Sequence, residues 1–185
     1  MKVAFDIDDT LGDTFTPSLA FFNKKYSKDF TEDTLRAHLV SLQYQYEREP
    51  FAVAYGLTEE AVRCDFKSSA GDMFPYCRPF EKALEVAKKY MDEGYEIYYI
   101  TARDDCWHDV TLTWLEQNGF PTGTLIHERD DKAGVAEALG VKIFYEDNLR
   151  NAVAIHQKGI KTYLINAATN YHDLPEGMER LEWAK

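Results

Sequence analysis

Hydrophobic and polar positions alternate between two periods along most of this chain. Pro79-Phe80 opens a segment with Phe80, Ala83, Leu84, Ala87 and Met91 at helical spacing, closed by Gly94. Glu96–Thr101 follows, and its apolar run Ile97–Ile100 is of the kind that forms a buried strand. The same rhythm then predicts a helix over Asp105–Asn118, a strand over Thr124–His127 and a helix over Lys132–Leu139. A strand over Val141–Tyr145, a helix over Asn148–Lys158 and a strand over Lys161–Ile165 complete the series. With Lys2–Phe5 as the first strand, the order is one strand followed by repeated helix–strand units. That order predicts an α/β fold, a parallel sheet with helices on both faces and right-handed crossovers.

Residues 14–78 break the rhythm, with no convincing buried strand. They read as helices over Pro17–Tyr26, Thr31–Tyr46 and Thr58–Lys67. Thr31 and Thr58 suit N-caps, but Ala61 stands where a capping box at Thr58 needs Glu or Gln. The division expected is a core domain of residues 1–13 and 79–185, with a helical cap of residues 14–78 inserted after the first strand. The polar tail from Asn166 is expected to wrap the surface.

The chain has 185 residues with 21 Lys+Arg against 32 Asp+Glu, a net charge of −11. That length holds one domain with a large insertion and a substantial core. The acidic balance argues against a nucleic-acid backbone as partner. The longest apolar stretch, Phe51–Tyr55, is far too short to cross a membrane. With no secretory pattern at Met1–Phe5, a cytoplasmic location is expected. Cys64, Cys77 and Cys106 form no CxxC pair, which argues against a disulfide framework or a cysteine zinc site. The histidines His38, His108, His127, His156 and His172 show no ligand spacing. An acidic protein that takes an anionic substrate must offset its own repulsion, with a bound cation or a few placed Lys and Arg.

The strongest chemical signal is Phe5-Asp6-Ile7-Asp8-Asp9-Thr10-Leu11. Carboxylates crowded at a strand end must raise a pKa or bind a cation. Alternate strand residues share a face, so Asp6 and Asp8 lie about 6.6 Å apart, suited to one metal ion or one phosphoryl group. The ordinary structural reading, a strand-to-loop exit with Asp9 and Thr10 as turn and cap residues, is the less favoured one. Open parallel sheets build their sites at the carboxyl ends of strands. The later strands end in Thr101-Ala102-Arg103, Asp130-Asp131-Lys132 and Glu146-Asp147-Asn148. Each group has an ordinary structural reading as helix cap or solvated helix face, but their coincidence at one sheet edge points to a site.

Asp6-x-Asp8-x-Thr10, the strand ending in Thr101, the isolated Lys132 and the pair Glu146-Asp147 resemble, in order, the four motifs of the haloacid dehalogenase-like hydrolases. The resemblance implies a Rossmann-like core with a small helical cap. It implies Asp6 as nucleophile and Asp8 as the acid that protonates the leaving oxygen and then activates water. Thr101 and Lys132, with Ala102 and Arg103 beside them, would bind the phosphoryl group. Mg2+ would be held by Asp6, the Asp8 main-chain carbonyl and Asp147, with Glu146 in support. The acidic pair favours a phosphatase over a metal-free dehalogenase.

Leu11-Gly12-Asp13, Phe144-Tyr145-Glu146-Asp147-Asn148, the chain length and the cap size are further similar to the 5′(3′)-deoxyribonucleotidase group. The sequence departs from that group at Asp9-Thr10 and in carrying Glu at 146. Half of the aromatic residues lie between 14 and 80; most suit the cap's own core, and some could stack a nucleobase. The resemblance thus implies a (deoxy)nucleoside monophosphate as substrate, with another small phosphorylated metabolite as the alternative. A non-catalytic phospho-receiver fits less well, since its acceptor Asp lies on a later strand than its acidic pair.

Overall fold

The computed structural model describes residues 1–183; the last two residues of the expected core segment lie outside this range. Six parallel strands form the main sheet in the order β5-β4-β1-β6-β7-β8. They are β1 (Lys2–Phe5), β4 (Glu96–Thr101), β5 (Thr124–His127), β6 (Ile143–Glu146), β7 (Lys161–Ile165) and β8 (Glu179–Leu181). Helices α5 (Glu81–Asp92), α6 (His108–Gln117), α7 (Lys132–Leu139) and α8 (Leu149–Gln157) connect or flank them. This is the α/β, Rossmann-like architecture that the alternating periods predict.

The core follows directly from strand alternation. Val3 and Phe5 of β1 pack into one cluster with Ile97, Tyr99, Trp114 and Leu115. Ala4 points the other way, toward Tyr98, Ile100, Ala136, Phe144 and Ile155. Both faces of β1 are covered, which is why its sequence is apolar throughout. Phe5 stacks on Tyr145 with ring centroids 4.9 Å apart. Because β1 pairs with β4 on one side and β6 on the other, it is where the strand order reverses. Ligand crevices of open α/β sheets form at such a point.

The segment between β1 and α5 contains α1 (Phe15–Tyr26), α2 (Glu32–Ser41), α3 (Pro50–Tyr55) and α4 (Glu59–Met73). Leu19, Phe22, Leu35, Leu39, Phe51, Tyr55 and Val62 form a separate apolar cluster among them. Phe22 meets Phe51, Tyr55 and Phe66 at centroid distances of 4.7–5.6 Å, so most of the segment's aromatics form its own interior. At its base, β2 (Gly12–Asp13) and β3 (Arg78–Pro79) pair antiparallel. A Cβ at Gly12 would lie 2.7 Å from the Trp114 ring, so this crossing requires glycine.

Several expectations need correction. The helix expected to run to Tyr46 stops at Ser41, because Gln43 turns to a left-handed φ of 51°. The chain restarts as α3, with Pro50 at its first position and Glu49 accepting from the Phe51 N–H. The Thr58 side chain caps α4 through the Ala61 N–H, and α4 runs six residues beyond Lys67. The helix expected from Asp105 begins as a single 3₁₀ turn over Asp105–Trp107. Met91, placed on the buried stripe of α5, is 47% exposed in the helix's last turn.

The tail does not simply wrap the surface. It adds β8 to the sheet edge and buries Met178 and Trp183. Trp183 lies 5.1 Å from the Tyr145 ring at 16°, and its indole N–H donates to the Thr10 carbonyl at 3.1 Å. The chain beyond β7 therefore reaches back to the loop that follows β1. Among the described residues, no helix is long and apolar enough to cross a membrane.

Candidate active site

The loop after β1 is fixed locally before it meets other elements. Asp6 remains in sheet register, donating its N–H to the Tyr145 carbonyl at 2.9 Å. The Ile7 carbonyl then accepts from Leu11 at 2.8 Å, and Asp9 adopts a φ of 55°. The Asp9 carboxylate accepts from the N–H groups of Thr14 and Phe15 and from the Thr14 hydroxyl, at 2.6–3.0 Å. An anion thus sits at the N-terminus of α1, where the exposed N–H groups favour it. Asp9 fills the turn-and-cap role that its sequence position allowed.

Asp6, Lys132, Glu146 and Asp147 come together at the ends of β1 and β6 and the start of α7. Lys132 Nζ lies 2.7 Å from Asp6 Oδ1 and 3.0 Å from Glu146 Oε2. All three side chains are at least nine-tenths buried. Asp131 places Lys132 by capping α7, its carboxylate accepting the Gly134 N–H at 2.8 Å. Glu146 Oε1 accepts from the Asn148 N–H, and Asn148 caps α8 through the Asn151 N–H. Asp147 lies beside Asp6 and Glu146, with carboxylate oxygens of all three within 4.8 Å of one another. The Thr10 hydroxyl reaches Asp147 at 3.4 Å.

The electrostatics follow from this crowding. Three carboxylates face one ammonium, leaving an excess of negative charge with little water to screen it. Burial pushes the Asp6 carboxyl up from 3.8 to about 7; Lys132 opposes the shift, while Glu146 and Asp8 add to it. Burial also raises Asp147, reinforced by Glu146, Asp9 and Asp6. Burial raises Asp9 to about 7, with Asp8 adding to it. The cluster has oxygen donors alone and too few positive charges, which fits a hard divalent cation such as Mg2+. Asp6, Glu146 and Asp147 are the residues whose carboxylates could hold it.

Thr101 is fully buried at the end of β4, and its hydroxyl accepts from the Arg103 N–H at 3.2 Å. The Ala102 carbonyl accepts from Arg129 at 3.1 Å. The expected phosphate contact of Arg103 gives way to a different arrangement. Its side chain is only 1% exposed and is turned onto Asp8, with Nη2 2.7 Å from Asp8 Oδ1. Asp8 therefore stands apart from the three grouped carboxylates, facing a guanidinium. His127 at the end of β5 makes a 2.9 Å hydrogen bond to the Arg103 carbonyl and a 3.1 Å one to His108.

Two supports were not anticipated. Asn170, 2% exposed, donates to the Asp147 carbonyl at 2.6 Å and the Ile165 carbonyl at 2.8 Å, holding the loop after β6 against the end of β7. Trp183 holds the Thr10 carbonyl. A buried Asn in a loop rich in polar residues carries no periodic signal, and the tail's alternation is too short to separate from a coil.

Residues 67–167 match the family described as PITM 1-3, LNS2 domain. A Bacillus cereus protein named "Putative nucleotidase" is 29% identical over 181 residues, covering 93% of this chain and 89% of its own length. An Oceanobacillus iheyensis protein named "Putative nucleotidase OB0422" is 32% identical over 122 residues, covering 65% of this chain and 61% of its own. A solved haloacid dehalogenase-like hydrolase from Streptococcus pneumoniae shares the fold, with a TM-score of 0.62 at 14% identity over 98% of this chain and 93% of that one. The chain belongs to the LNS2-domain family, and it shares the fold of the haloacid dehalogenase-like hydrolases.

Proposed function

We propose that the chain is a Mg2+-dependent phosphomonoesterase that works through an aspartyl-phosphate on Asp6 and acts on (deoxy)nucleoside monophosphates. The observation that carries the reading is the convergence of Asp6, Lys132, Glu146 and Asp147 at adjacent strand ends. The two similar proteins named as nucleotidases favour the nucleotide substrate. In this reading α1–α4 form a cap over the strand ends, as the separate apolar cluster of residues 14–78 suggests.

An Asp6 carboxylate oxygen attacks phosphorus, the ester P–O bond breaks, and Asp8 gives a proton to the leaving alcohol oxygen. Asp8 then takes a proton from water, which attacks the acyl phosphate, releases phosphate and restores Asp6. Lys132 Nζ and the Thr101 hydroxyl, with Ala102 in the same loop, hold phosphoryl oxygens. Asp6, Asp147 and the Asp8 main-chain carbonyl, with Glu146 in support, would hold Mg2+, which would supply charge neutralisation when bound. Splitting hydrolysis into two displacements lowers the barrier of each, and positioning plus charge stabilisation do most of the rest.

The test is a panel of nucleoside monophosphates and small sugar phosphates, assayed with Mg2+ and again with excess EDTA. The expected result is phosphate release that EDTA abolishes, with kcat/KM for at least one nucleotide about tenfold or more above the sugar phosphates. Equal rates across the panel would reject the nucleotide and favour another phosphorylated metabolite. Undiminished activity in EDTA would reject the metal.

Stability gives a second check. Asp6 titrates near 3.8 when unfolded and about 7 when folded. Its favourable contribution is therefore complete below about pH 4 and is lost as pH rises through about 7; Asp9 follows the same course. A cation selects the ionised carboxylates. Added Mg2+ is thus expected to raise the melting temperature more at about pH 8 than at about pH 5.5. An equal or larger rise at the lower pH would contradict this charge distribution.

A further inference from the structure

The Arg103 guanidinium is surrounded. Its Nε lies 3.2 and 3.1 Å from the two Asp8 carboxylate oxygens and Nη2 lies 2.7 Å from one of them. Nη1 donates to the Thr111 hydroxyl of α6 at 3.2 Å. The Phe74 ring covers the guanidinium, with its centroid 3.9 Å from Cζ. The Arg103 side chain is 1% exposed, whereas the Asp8 side chain is 30% exposed. The buried Arg103 side chain meets the proposed catalytic groups at Asp8, so an effect of changing that side chain on the reaction is expected to pass through Asp8.

Phe74 links this pair to the helical insertion. It is the residue that ends α4, where the insertion rejoins the sheet domain. Its ring meets Trp107 edge-on at 5.6 Å, and Lys67 of α4 lies 3.1 Å from Asp104. Asp104 in turn pairs with Arg129 at 2.9 Å. The last two turns of α4 are therefore seated on the loop that carries Arg103. A forked guanidinium fixes a carboxylate in two dimensions, and a ring over its face limits its remaining freedom.

We infer that Arg103 is a positioning residue for Asp8, and that the Phe74 contact makes the aim of that carboxylate depend on how the insertion is seated. This rests on the reading of Asp8 as the residue that protonates the leaving oxygen. Proton donation matters most when the departing alcohol is a poor leaving group, and general acids contribute about 10²–10⁴-fold in such cases. A residue that aims the acid must show the same selectivity. A buried ion pair that only stabilises the fold has no reason to.

The experiment compares phenyl phosphate, with the poorer leaving group, and p-nitrophenyl phosphate at saturating Mg2+. The variants are Arg103→Met, Arg103→Lys, Phe74→Leu and Asp8→Asn, each checked for folding by thermal melt. Arg103→Met is expected to lower kcat about 10–100-fold on phenyl phosphate but only about threefold on p-nitrophenyl phosphate, with KM changed less than about threefold. Arg103→Lys should recover part of that loss, and Phe74→Leu should show the same skew at about 3–10-fold. If Arg103→Met does not fold, Phe74→Leu carries the comparison, because it leaves the hydrogen bonds between Arg103 and Asp8 in place. Equal losses on both esters in Arg103→Met and Phe74→Leu, alongside a skew in Asp8→Asn, would overturn the positioning role alone. No skew in Asp8→Asn would overturn the acid reading, and the inference with it.

Discussion

Asp6→Asn is expected to reduce phosphate release by about 10³-fold or more, because the amide cannot serve as the attacking oxygen. The substitution is nearly isosteric and keeps the backbone bond to the Tyr145 carbonyl. It also removes a carboxylate whose burial raises its pKa to about 7. At about pH 8 the native Asp6 charge is therefore a cost to the metal-free fold, and the neutral amide relieves part of it. Activity should disappear while the melting temperature of the metal-free protein at that pH stays level or rises. A thermal melt beside a phosphate-release assay reads both. Retained turnover would remove Asp6 as nucleophile, and parallel loss of activity and stability would make the residue structural.

Lys132→Met should produce the largest loss of stability. Lys132 is the ammonium facing both Asp6 and Glu146, and Glu146 is fully buried. Removing one partner of a buried ion pair leaves an uncompensated charge, typically at a cost of about 3–5 kcal/mol. In a chain of this size that corresponds to a fall in melting temperature of about 10 °C or more. Turnover should fall as well, since in the proposed mechanism Lys132 also holds the phosphoryl group. The diagnostic comparison is the double variant Lys132→Met, Glu146→Gln. Neutralising Glu146 removes much of the exposed imbalance, so the double variant should melt above Lys132→Met alone while remaining inactive. Additive losses in the two single variants would show that Lys132 and Glu146 are not coupled as the 3.0 Å contact indicates.

How legible such features are depends on how local their causes are. The strands around the site are fully covered, so β1 and β4 are written as apolar runs that any periodicity argument finds. Asp6, Thr101, Glu146 and Asp147 stand out as candidates because each ends or follows a strand, and Lys132 because it opens the helix after β5; strand ends are where open sheets place their sites. The pairing of Arg103 with Asp8 is not legible, because it joins residues 95 apart whose encounter is set by the β1–β4 register. A sequence reading sees a basic residue beside a threonine expected to bind phosphate and assigns it to the substrate. Only burial shows that the guanidinium faces inward.

The same distinction explains the errors in the fold. Gln43 ends a helix without the Gly or Asn that usually announces a left-handed turn. The two-residue strands β2 and β3 are too short for any period, and they exist because Gly12 lets the chain pass against Trp114. β8 and Trp183 are held by a parallel partner and by stacking on Tyr145, contacts made far from the tail in sequence.

The most direct test of the central claim is a crystal structure of the protein with Mg2+ and beryllium trifluoride, a mimic of an aspartyl-bound phosphoryl group. The expected result is the fluoride adduct on an Asp6 carboxylate oxygen, contacted by Thr101 and Lys132, with the ion bound by Asp6 and Asp147. An adduct on another carboxylate, or an ion seated away from Asp6 and Asp147, would contradict it.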